Sequence, residues 1–222
     1  MSIESRKIRL VMDLRNGGVT DTRVLAALER VPREAFVEEA FQDQAYANQA
    51  LPISCGQTIS QPLVVGLMTQ ALEIGDRHKV LEVGTGSGYQ AAVLSHLARR
   101  VYTIERHRNL LATAEKRLQA LGLHNITTMV GDGYKGWPVQ APFDRILVTA
   151  AARIVPPDLV AQLSDEGGIM VLPVGDAADT GGGLNQEVIR VRKDGKQFKS
   201  ERLFPVRFVP LVQGVPDEAR KR

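Results

Sequence analysis

The chain is poor in the residues that cross-link small proteins or bind metals. Its 222 residues include one cysteine, Cys55, so an internal disulfide is excluded. Four histidines are present, and they are scattered without the spacing of metal ligands. Neither a disulfide framework nor a metal site is therefore predicted.

Long apolar runs are also missing. No run approaches the roughly 20 residues that a membrane helix requires. The N-terminal stretch "MSIESRKIRLVMDL" lacks the apolar core of a secretory signal. We therefore expect a cytoplasmic protein with no membrane partner.

The charge is modest and dispersed. The formal net charge is +3, and the basic residues are spread out apart from a weak group of arginines between 99 and 108 and the tail "EARKR". A nucleic-acid interface needs clustered basic residues. Nucleic acid is therefore not expected as a partner, and we expect a monomer.

In the middle of the chain, short β-rich runs alternate with segments of helical periodicity. The predicted strands are 78–83, 100–105, 126–130, 144–150 and 168–174. The predicted helices are 22–31, 62–72, 90–98, 109–121 and 156–163. Such alternation predicts an α/β fold with a doubly wound parallel sheet covered on both faces.

The last third of the chain breaks this rhythm. The run "NQEVIRVRKDGKQF" alternates around "KDGK", which is typical of a hairpin, and "RLFPVRFVPL" is a further extended run. We expect antiparallel strands at one edge of the sheet, a flexible loop at 176–185 and a frayed tail from Gly214.

The length predicts a single domain spanning 1–222. Its expected parts are a helical, substrate-side segment (1–77), a cofactor-binding core (78–175), the antiparallel strands (176–211) and a tail (212–222).

The stretch "VLEVGTGSGYQAA" places Glu82, Gly84, Gly86 and Gly88 between a predicted strand and a predicted helix. Glycines let the backbone turn sharply and approach a ligand, and a helix start offers N–H groups. In a dinucleotide-binding fingerprint, Gly-x-Gly-x-x-Gly, the third glycine would stand where Tyr89 does. The spacing disfavours a nicotinamide dehydrogenase.

Two acidic residues follow at the ends of the next strands. Glu105 closes the second strand, where a carboxylate can accept hydrogen bonds from both hydroxyls of a ribose. Asp132, in "GDG", follows the third strand and is placed to meet an adenine amino group. Ligands bind at the carboxyl ends of strands in such sheets. The three loops together favour a nucleoside cofactor over purely structural glycines, although a non-catalytic nucleoside-binding module remains an alternative.

The stretch "GQTISQP" offers hydroxyl groups without a nearby base. No His, Asp or Lys stands beside Ser60 to activate it, and Ser60 is also placed to cap the helix that follows.

Three other residues carry simpler expectations. Cys55 is expected to pack as a small residue, and Trp137 is expected to pack as an aromatic anchor and not on adenine. His107 is expected to lie at the rim of the cofactor site.

Several segments resemble a known superfamily. The stretches "LEVGTGSGYQAA", "VYTIE", "GDG", "FDRILVTAA" and "EGGIMVLPVG" are similar to those of the seven-stranded S-adenosylmethionine-dependent methyltransferases. More narrowly, "RVPREAFV", "LPISCGQTISQP" and "GTGSGYQAAVL" resemble the protein-L-isoaspartate O-methyltransferases, and the likeness runs from about Asp21 to Leu211. It implies a Rossmann-like fold with a mostly parallel seven-stranded sheet and antiparallel C-terminal strands.

The resemblance also implies an activity and a site. The activity is methyl transfer from S-adenosyl-L-methionine, leaving S-adenosyl-L-homocysteine, to the carboxylate of L-isoaspartyl residues in damaged proteins. The ester then closes to a succinimide that can reopen to aspartate. Ser60 would be catalytic and, with Val209, substrate-binding. The implied cofactor-binding residues are Gln57, Thr58, Ile59, Glu82, Gly84, Thr85, Gly86, Ser87, Gly88, Glu105, Arg106, Asp132 and Gly133.

The missing base beside Ser60 agrees with this chemistry. A carboxylate acceptor, with a pKa of about 4, is already ionised at neutral pH. The protein then has only to align the acceptor with the methyl group, a proximity effect.

An S-adenosylmethionine-dependent methyltransferase with a nucleic-acid or small-molecule acceptor remains an alternative, although "TAAA" stands where base-methylating enzymes usually carry an Asn/Asp-Pro-Pro-aromatic motif. No role is assigned to Arg153.

The step Asn16-Gly17 in "RNGGV" is of a kind that deamidates readily. The enzyme could then become its own substrate, although a simple turn before the first helix also accounts for these residues.

Overall fold

The computed structural model describes residues 2–175 and 186–216. Its helices are α1 (Ile3–Asn16), α2 (Thr22–Arg30), α3 (Pro62–Ala71), α4 (Tyr89–Ser95), α5 (Arg108–Ala120) and α6 (Pro157–Ala161). Its strands are β1 (Leu51–Ile53), β2 (Gln57–Ile59), β3 (Lys79–Val83), β4 (Arg100–Glu105), β5 (Ile126–Val130), β6 (Arg145–Val148), β7 (Glu166–Val174), β8 (Gln186–Asp194) and β9 (Gln197–Val206).

Seven strands form one sheet in the order β5-β4-β3-β6-β7-β8-β9. The first five of these pair in parallel, whereas β8 is antiparallel to both β7 and β9. The strand order reverses at β3, because β4 lies on one side of it and β6 on the other. Open sheets of this kind bind ligands at such a switch point. The predicted fold class is confirmed.

The central strands are buried on both faces. Along β3, Val80 belongs to one apolar cluster, whereas Leu81 and Val83 belong to another. Helices α1 to α4 contribute to the first cluster, and α6 contributes to the second. This two-sided covering explains why the central strands read as nearly continuous apolar runs.

Helix α1 was not predicted from the sequence. It buries only Leu10 and Leu14, four residues apart, and Ser2 caps it by accepting the Ser5 N–H at 3.1 Å. The pattern is weak because most of the helix is exposed. Asn16 is its last residue, and Gly17 begins a turn that leads to α2, so the expected turn is present before the predicted helix but follows a helix that was not predicted.

The two-stranded β1–β2 hairpin was also not predicted. Each strand has three residues, with Leu51 opposite Ile59. Runs this short show too little alternation to be read as strands. The hairpin is nevertheless important, because it carries the "GQTISQP" stretch.

The C-terminal hairpin is confirmed, with Gly195 in its turn at φ +59°. The run that begins at Arg202 is extended in its first half, as predicted, and this half is the end of β9. The loop predicted at 176–185 and the end of the tail, 217–222, lie outside the described residues. Gly214 is held by an N–H bond to Asp132 Oδ2 at 2.9 Å.

Within residues 2–175 and 186–216, no helix is both long and apolar enough to cross a membrane.

Candidate active site

A cavity of about 230 Å³ lies at the carboxyl ends of the central strands, where the strand order reverses. Loops after β3, β4, β5 and β6 line it, together with the β1–β2 hairpin and the segment after β9. The sequence-predicted residues that line it are Gln57, Thr58, Ile59, Ser60, Gly84, Thr85, Gly86, Ser87, Glu105, Arg106, Gly133 and Val209. Glu82, Gly88 and Asp132 are not among the lining residues.

The glycine loop after β3 depends on the absence of side chains. Gly84 has φ +100°, and a Cβ there would lie 2.4 Å from Thr149 Oγ1. The N–H of Gly84 donates to the Ile104 carbonyl at 2.8 Å. Gly88 begins α4 with φ +91°, so it shapes the wall from behind the cavity. A side chain at Gly84 would both strain the backbone and displace Thr149.

Glu105 links two loops of the cavity. Its Oε2 accepts the Gly86 N–H at 2.9 Å, and its Oε1 accepts the His107 N–H at 3.0 Å. The residue is only 6% exposed, yet it lines the cavity. A carboxylate has about four acceptor positions, so further positions remain for the hydroxyls of a ligand.

Arg106 and His107 lie beside Glu105 on the cavity wall, and His107 is therefore at the position expected for it. The Nε of Arg106 is buried and has no partner among the described residues. A buried donor without a partner is costly, so this side chain is not fully satisfied by the described residues.

Glu82 is fully buried and reaches the glycine loop only through other side chains. Thr103 donates to Glu82 Oε2 at 2.5 Å, and the hydroxyls of Thr103 and Thr85 lie 2.6 Å apart. Burial raises the pKa of Glu82 to about 8, although the Thr103 hydrogen bond opposes this, and the charge of Glu105 adds to it. The direct cofactor contact expected of Glu82 stays a prediction; the chain of hydroxyls connects it to Thr85.

Asp132 does not line the cavity, and its carboxylate binds two backbone N–H groups of neighbouring segments. Its Oδ1 accepts the Tyr134 N–H at 2.9 Å, which caps the short helix Gly133–Lys135, and its Oδ2 holds Gly214. Gly133 does line the cavity, and a Cβ there would lie 2.5 Å from Val83 Cγ1. The contact of Asp132 with adenine stays a prediction, and its carboxylate is already used in shaping this loop.

Ser60 follows β2 and lines the cavity. Helix α3 is capped at Gln61, and Asn48 Oδ1 accepts the Leu63 N–H at 3.0 Å, so the expectation that Ser60 caps this helix is wrong. Among the described residues, no hydrogen bond involves the Ser60 hydroxyl; its backbone carbonyl accepts Arg33 Nη2 at 2.9 Å. The hydroxyl therefore stays available to a ligand.

The segment after β9 is held against the end of β6. Ala151 donates its N–H to the Val209 carbonyl at 2.8 Å, and Leu211 donates to the Ala151 carbonyl at 2.7 Å. The Val209 carbonyl is thus used within the fold, which leaves the N–H of Val209 as the group that could meet a substrate.

Sequence reasoning missed several lining residues. They include Tyr89, Gln90, Thr149, Ala150, Pro210, Leu211 and Val212. Thr149 could have been found, because it stands at the carboxyl end of a predicted strand. Tyr89 was noticed only as a departure from the dinucleotide fingerprint.

Two other expectations have different outcomes. Trp137 packs edge-on against Tyr102, with ring centroids 5.5 Å apart, and is not a lining residue, as expected. Cys55 is exposed with φ +60°, so the expectation that it packs as a small buried residue is wrong. The tight hairpin turn places it at the surface.

No group of three or more His, Cys, Asp or Glu side chains in the described part of the chain is arranged to hold a metal ion.

Comparisons with known proteins agree on one family. A family model described as protein-L-isoaspartate(D-aspartate) O-methyltransferase matches residues 5–216. A protein-L-isoaspartate O-methyltransferase of Rhodospirillum rubrum is 66% identical over 218 residues, which is 97% of this chain and 97% of that protein.

Solved structures are similar as well. A protein-L-isoaspartate O-methyltransferase structure matches 94% of this chain and 67% of its own, with a TM-score of 0.82 and 26% identity. A Plasmodium falciparum structure in complex with S-adenosyl-L-homocysteine shares the fold over 92% of this chain and 97% of its own, with a TM-score of 0.77 and 23% identity.

Proposed function

Since the chain belongs to the protein-L-isoaspartate(D-aspartate) O-methyltransferase family, we propose that it methylates the carboxylate of L-isoaspartyl residues in damaged proteins, using S-adenosyl-L-methionine. The observation that carries this proposal is the shared cavity: Ser60 and Val209 line it together with the glycine loop and Glu105. The residues expected to bind the acceptor and those expected to bind the nucleoside thus line one cavity.

The residues present fit this cofactor. The glycine loop would hold its methionine end, Glu105 would accept its ribose hydroxyls, and Gly133, which lines the same cavity, would meet the adenine ring. When bound, S-adenosyl-L-methionine supplies a methyl group that its sulfonium already activates.

The chain has only to orient the acceptor. An isoaspartyl carboxylate is ionised at neutral pH, so no side chain needs to remove a proton. The Ser60 hydroxyl, which has no intramolecular hydrogen bond among the described residues, can donate to one carboxylate oxygen and direct the other. This geometry would make Ser60 a catalytic residue that acts by orientation.

Main-chain recognition would suit such an enzyme. The Val209 carbonyl is used by Ala151, so the Val209 N–H is the group offered to the substrate backbone. A backbone contact does not depend on the substrate's side chains, and damaged proteins vary in sequence. The enzyme would then distinguish an isoaspartyl residue by where its extra backbone carbon places the carboxylate relative to the bound backbone.

The test is methyl transfer to matched peptides. The purified chain is incubated with radiolabelled S-adenosyl-L-methionine and either an isoaspartyl peptide or the same peptide with normal aspartate. Base-labile label on the isoaspartyl peptide alone supports the proposal. Transfer to neither peptide contradicts it, and transfer to RNA or a small molecule instead would favour the alternative acceptors.

A monomeric state and a cytoplasmic location complete the proposal. Light scattering on the purified protein tests the first, since a mass of about twice the monomer would contradict it. Fractionation of the source cells tests the second.

A further inference from the structure

Arg33 is a fully buried cation close to the cavity. Its exposure is 0%, at the start of the short helix Arg33–Phe36. Within the described part of the chain no carboxylate forms a salt bridge with it. A buried charge is costly unless hydrogen bonds compensate it, so the position demands an explanation.

The guanidinium of Arg33 binds backbone on both sides of the β1–β2 hairpin. Nε donates to the Ala45 carbonyl at 2.9 Å, and Nη2 donates to the carbonyls of Gln49 at 3.4 Å and Ser60 at 2.9 Å. Residues 45 and 49 precede the hairpin, and residue 60 follows it. One planar group therefore holds the chain segments on both sides of the hairpin and fixes the position of the hairpin at the cavity.

The fourth neighbour of Arg33 is an aromatic ring of the cavity. Its Cζ lies 4.7 Å from the centroid of Tyr89, which is itself a lining residue. Its Nη1 is buried and makes no hydrogen bond of ordinary geometry with a described residue, although the guanidinium and the Tyr89 side chain interact electrostatically. The guanidinium thus lies directly behind the part of the wall that Ser60 and Tyr89 form.

We infer that Arg33 is a positioning residue that sets the direction of the Ser60 hydroxyl by holding the carbonyl of the same residue. The bond anchors the main chain of Ser60, so its loss would let the Ser60 Cα shift and would carry the hydroxyl to another place in the cavity. Arginine suits this task because its donors lie in a fixed plane, whereas lysine is a flexible point charge. If packing alone were required, an apolar side chain would fill the space without the desolvation free energy of a buried charge.

This inference rests on the proposed function, in which Ser60 orients the acceptor. The first test compares the wild type with Arg33→Lys, for kcat and KM with an isoaspartyl peptide and for S-adenosyl-L-homocysteine affinity by calorimetry. We expect kcat to fall about tenfold, because small misplacements of an orienting group cost one to two orders of magnitude in rate. The affinity for S-adenosyl-L-homocysteine should stay within about twofold of wild type, because a group that only orients the acceptor affects turnover and not cofactor binding.

The matched control is Arg30→Lys. Arg30 is exposed at the end of α2, three residues before Arg33. Its kcat should equal that of the wild type. If Arg33→Lys does not fold, Arg33→Gln provides the same comparison, since a neutral amide leaves no unpaired buried charge. An unchanged kcat in the folded Arg33 variant overturns the inference.

A double-mutant cycle separates positioning from general support of the fold. In the Ser60→Ala background, the same Arg33 substitution should lower kcat by less than about twofold, because the group that it positions is already absent. Equal losses in both backgrounds would mean that Arg33 acts independently of the Ser60 hydroxyl, which also overturns the inference.

Hydrogen exchange gives a readout without activity. In Arg33→Lys, the amides of residues 57–61 should exchange faster than in wild type, while those of β3 and β6 keep their rates. Faster exchange throughout the protein would indicate a purely structural role. If the wild type methylates neither peptide, the proposed function fails, whereas local exchange at 57–61 still decides whether Arg33 holds this segment.

Discussion

Glu105 accepts the backbone N–H of Gly86 at 2.9 Å and thereby joins the end of β4 to the loop that follows β3. The same carboxylate lines the cavity. It therefore holds the glycine loop in shape, and we expect it also to accept hydrogen bonds from the ribose of the cofactor. The two carboxylate oxygens of Glu105 accept one N–H each, which an amide with a single acceptor oxygen would not reproduce.

Replacement of Glu105 by glutamine should weaken cofactor binding. A hydrogen bond to a charged group contributes about 1.5–3 kcal/mol, so the Kd for S-adenosyl-L-homocysteine should rise roughly 10- to 100-fold. Isothermal titration calorimetry measures this change. Glu115→Gln, at an exposed position of α5, is the matched control and should bind like wild type. An unchanged Kd in Glu105→Gln would remove Glu105 from the cofactor site.

Replacement of Ser60 by alanine should slow methyl transfer while cofactor affinity is kept. Loss of an orienting hydrogen bond should lower kcat about tenfold or more. Steady-state kinetics with an isoaspartyl peptide and calorimetry with S-adenosyl-L-homocysteine separate the two effects. Ser54→Ala, an exposed substitution in the same hairpin, serves as the control. Equal losses of turnover and affinity in Ser60→Ala would point to a structural role.

Glu82 should make stability depend on pH. Its pKa is about 8 in the folded protein against an ordinary value of 4.5, so between these values the folded state holds a proton that the unfolded state has lost. The free energy of unfolding therefore falls as pH rises, by at most about 1.4 kcal/mol for each pH unit. Above the folded pKa this fall ends.

The neutral variant Glu82→Gln removes this effect. Its free energy of unfolding, minus that of the wild type, should grow from pH 5 to pH 8 and then level off. Urea denaturation at three pH values in this range measures the difference. A difference that stays constant with pH would mean that Glu82 is ionised in the folded protein.

Asn16 should deamidate slowly in the folded protein. Succinimide formation needs the Gly17 nitrogen to lose its proton and attack the Asn16 side chain, but this N–H donates to the Asp13 carbonyl at 2.9 Å. The backbone is also confined, because a Cβ at Gly17 would lie 2.6 Å from Leu63 Cδ1. Both features oppose the rearrangement at the end of α1.

Mass spectrometry of the aged protein tests this expectation, with a free peptide of residues 10–22 as the control. The peptide should accumulate isoaspartate at position 16 faster than the protein does. Equal rates would show that the helix end gives no protection, and the enzyme would then be a candidate for its own substrate.

The parallel core could be predicted because its signals are local. An apolar strand, a glycine turn and a helix follow one another within about twenty residues around Gly84, and similar units repeat. Two elements could not be predicted in this way. The strands β1 and β2 have only three residues each, and α1 buries only Leu10 and Leu14, so neither the hairpin nor α1 shows a clear apolar period.

The sequence by itself determined the order of strands and helices, the loops that bear glycine and acidic residues, and the family. Only the tertiary structure decided which of these residues line the cavity. Glu82 and Asp132 follow the same pattern as Glu105, yet one is buried beneath Thr103 and the other holds Tyr134 and Gly214. The reason is physical: spacing along a strand fixes which edge a residue reaches, whereas its direction and free hydrogen-bonding groups depend on what packs against it.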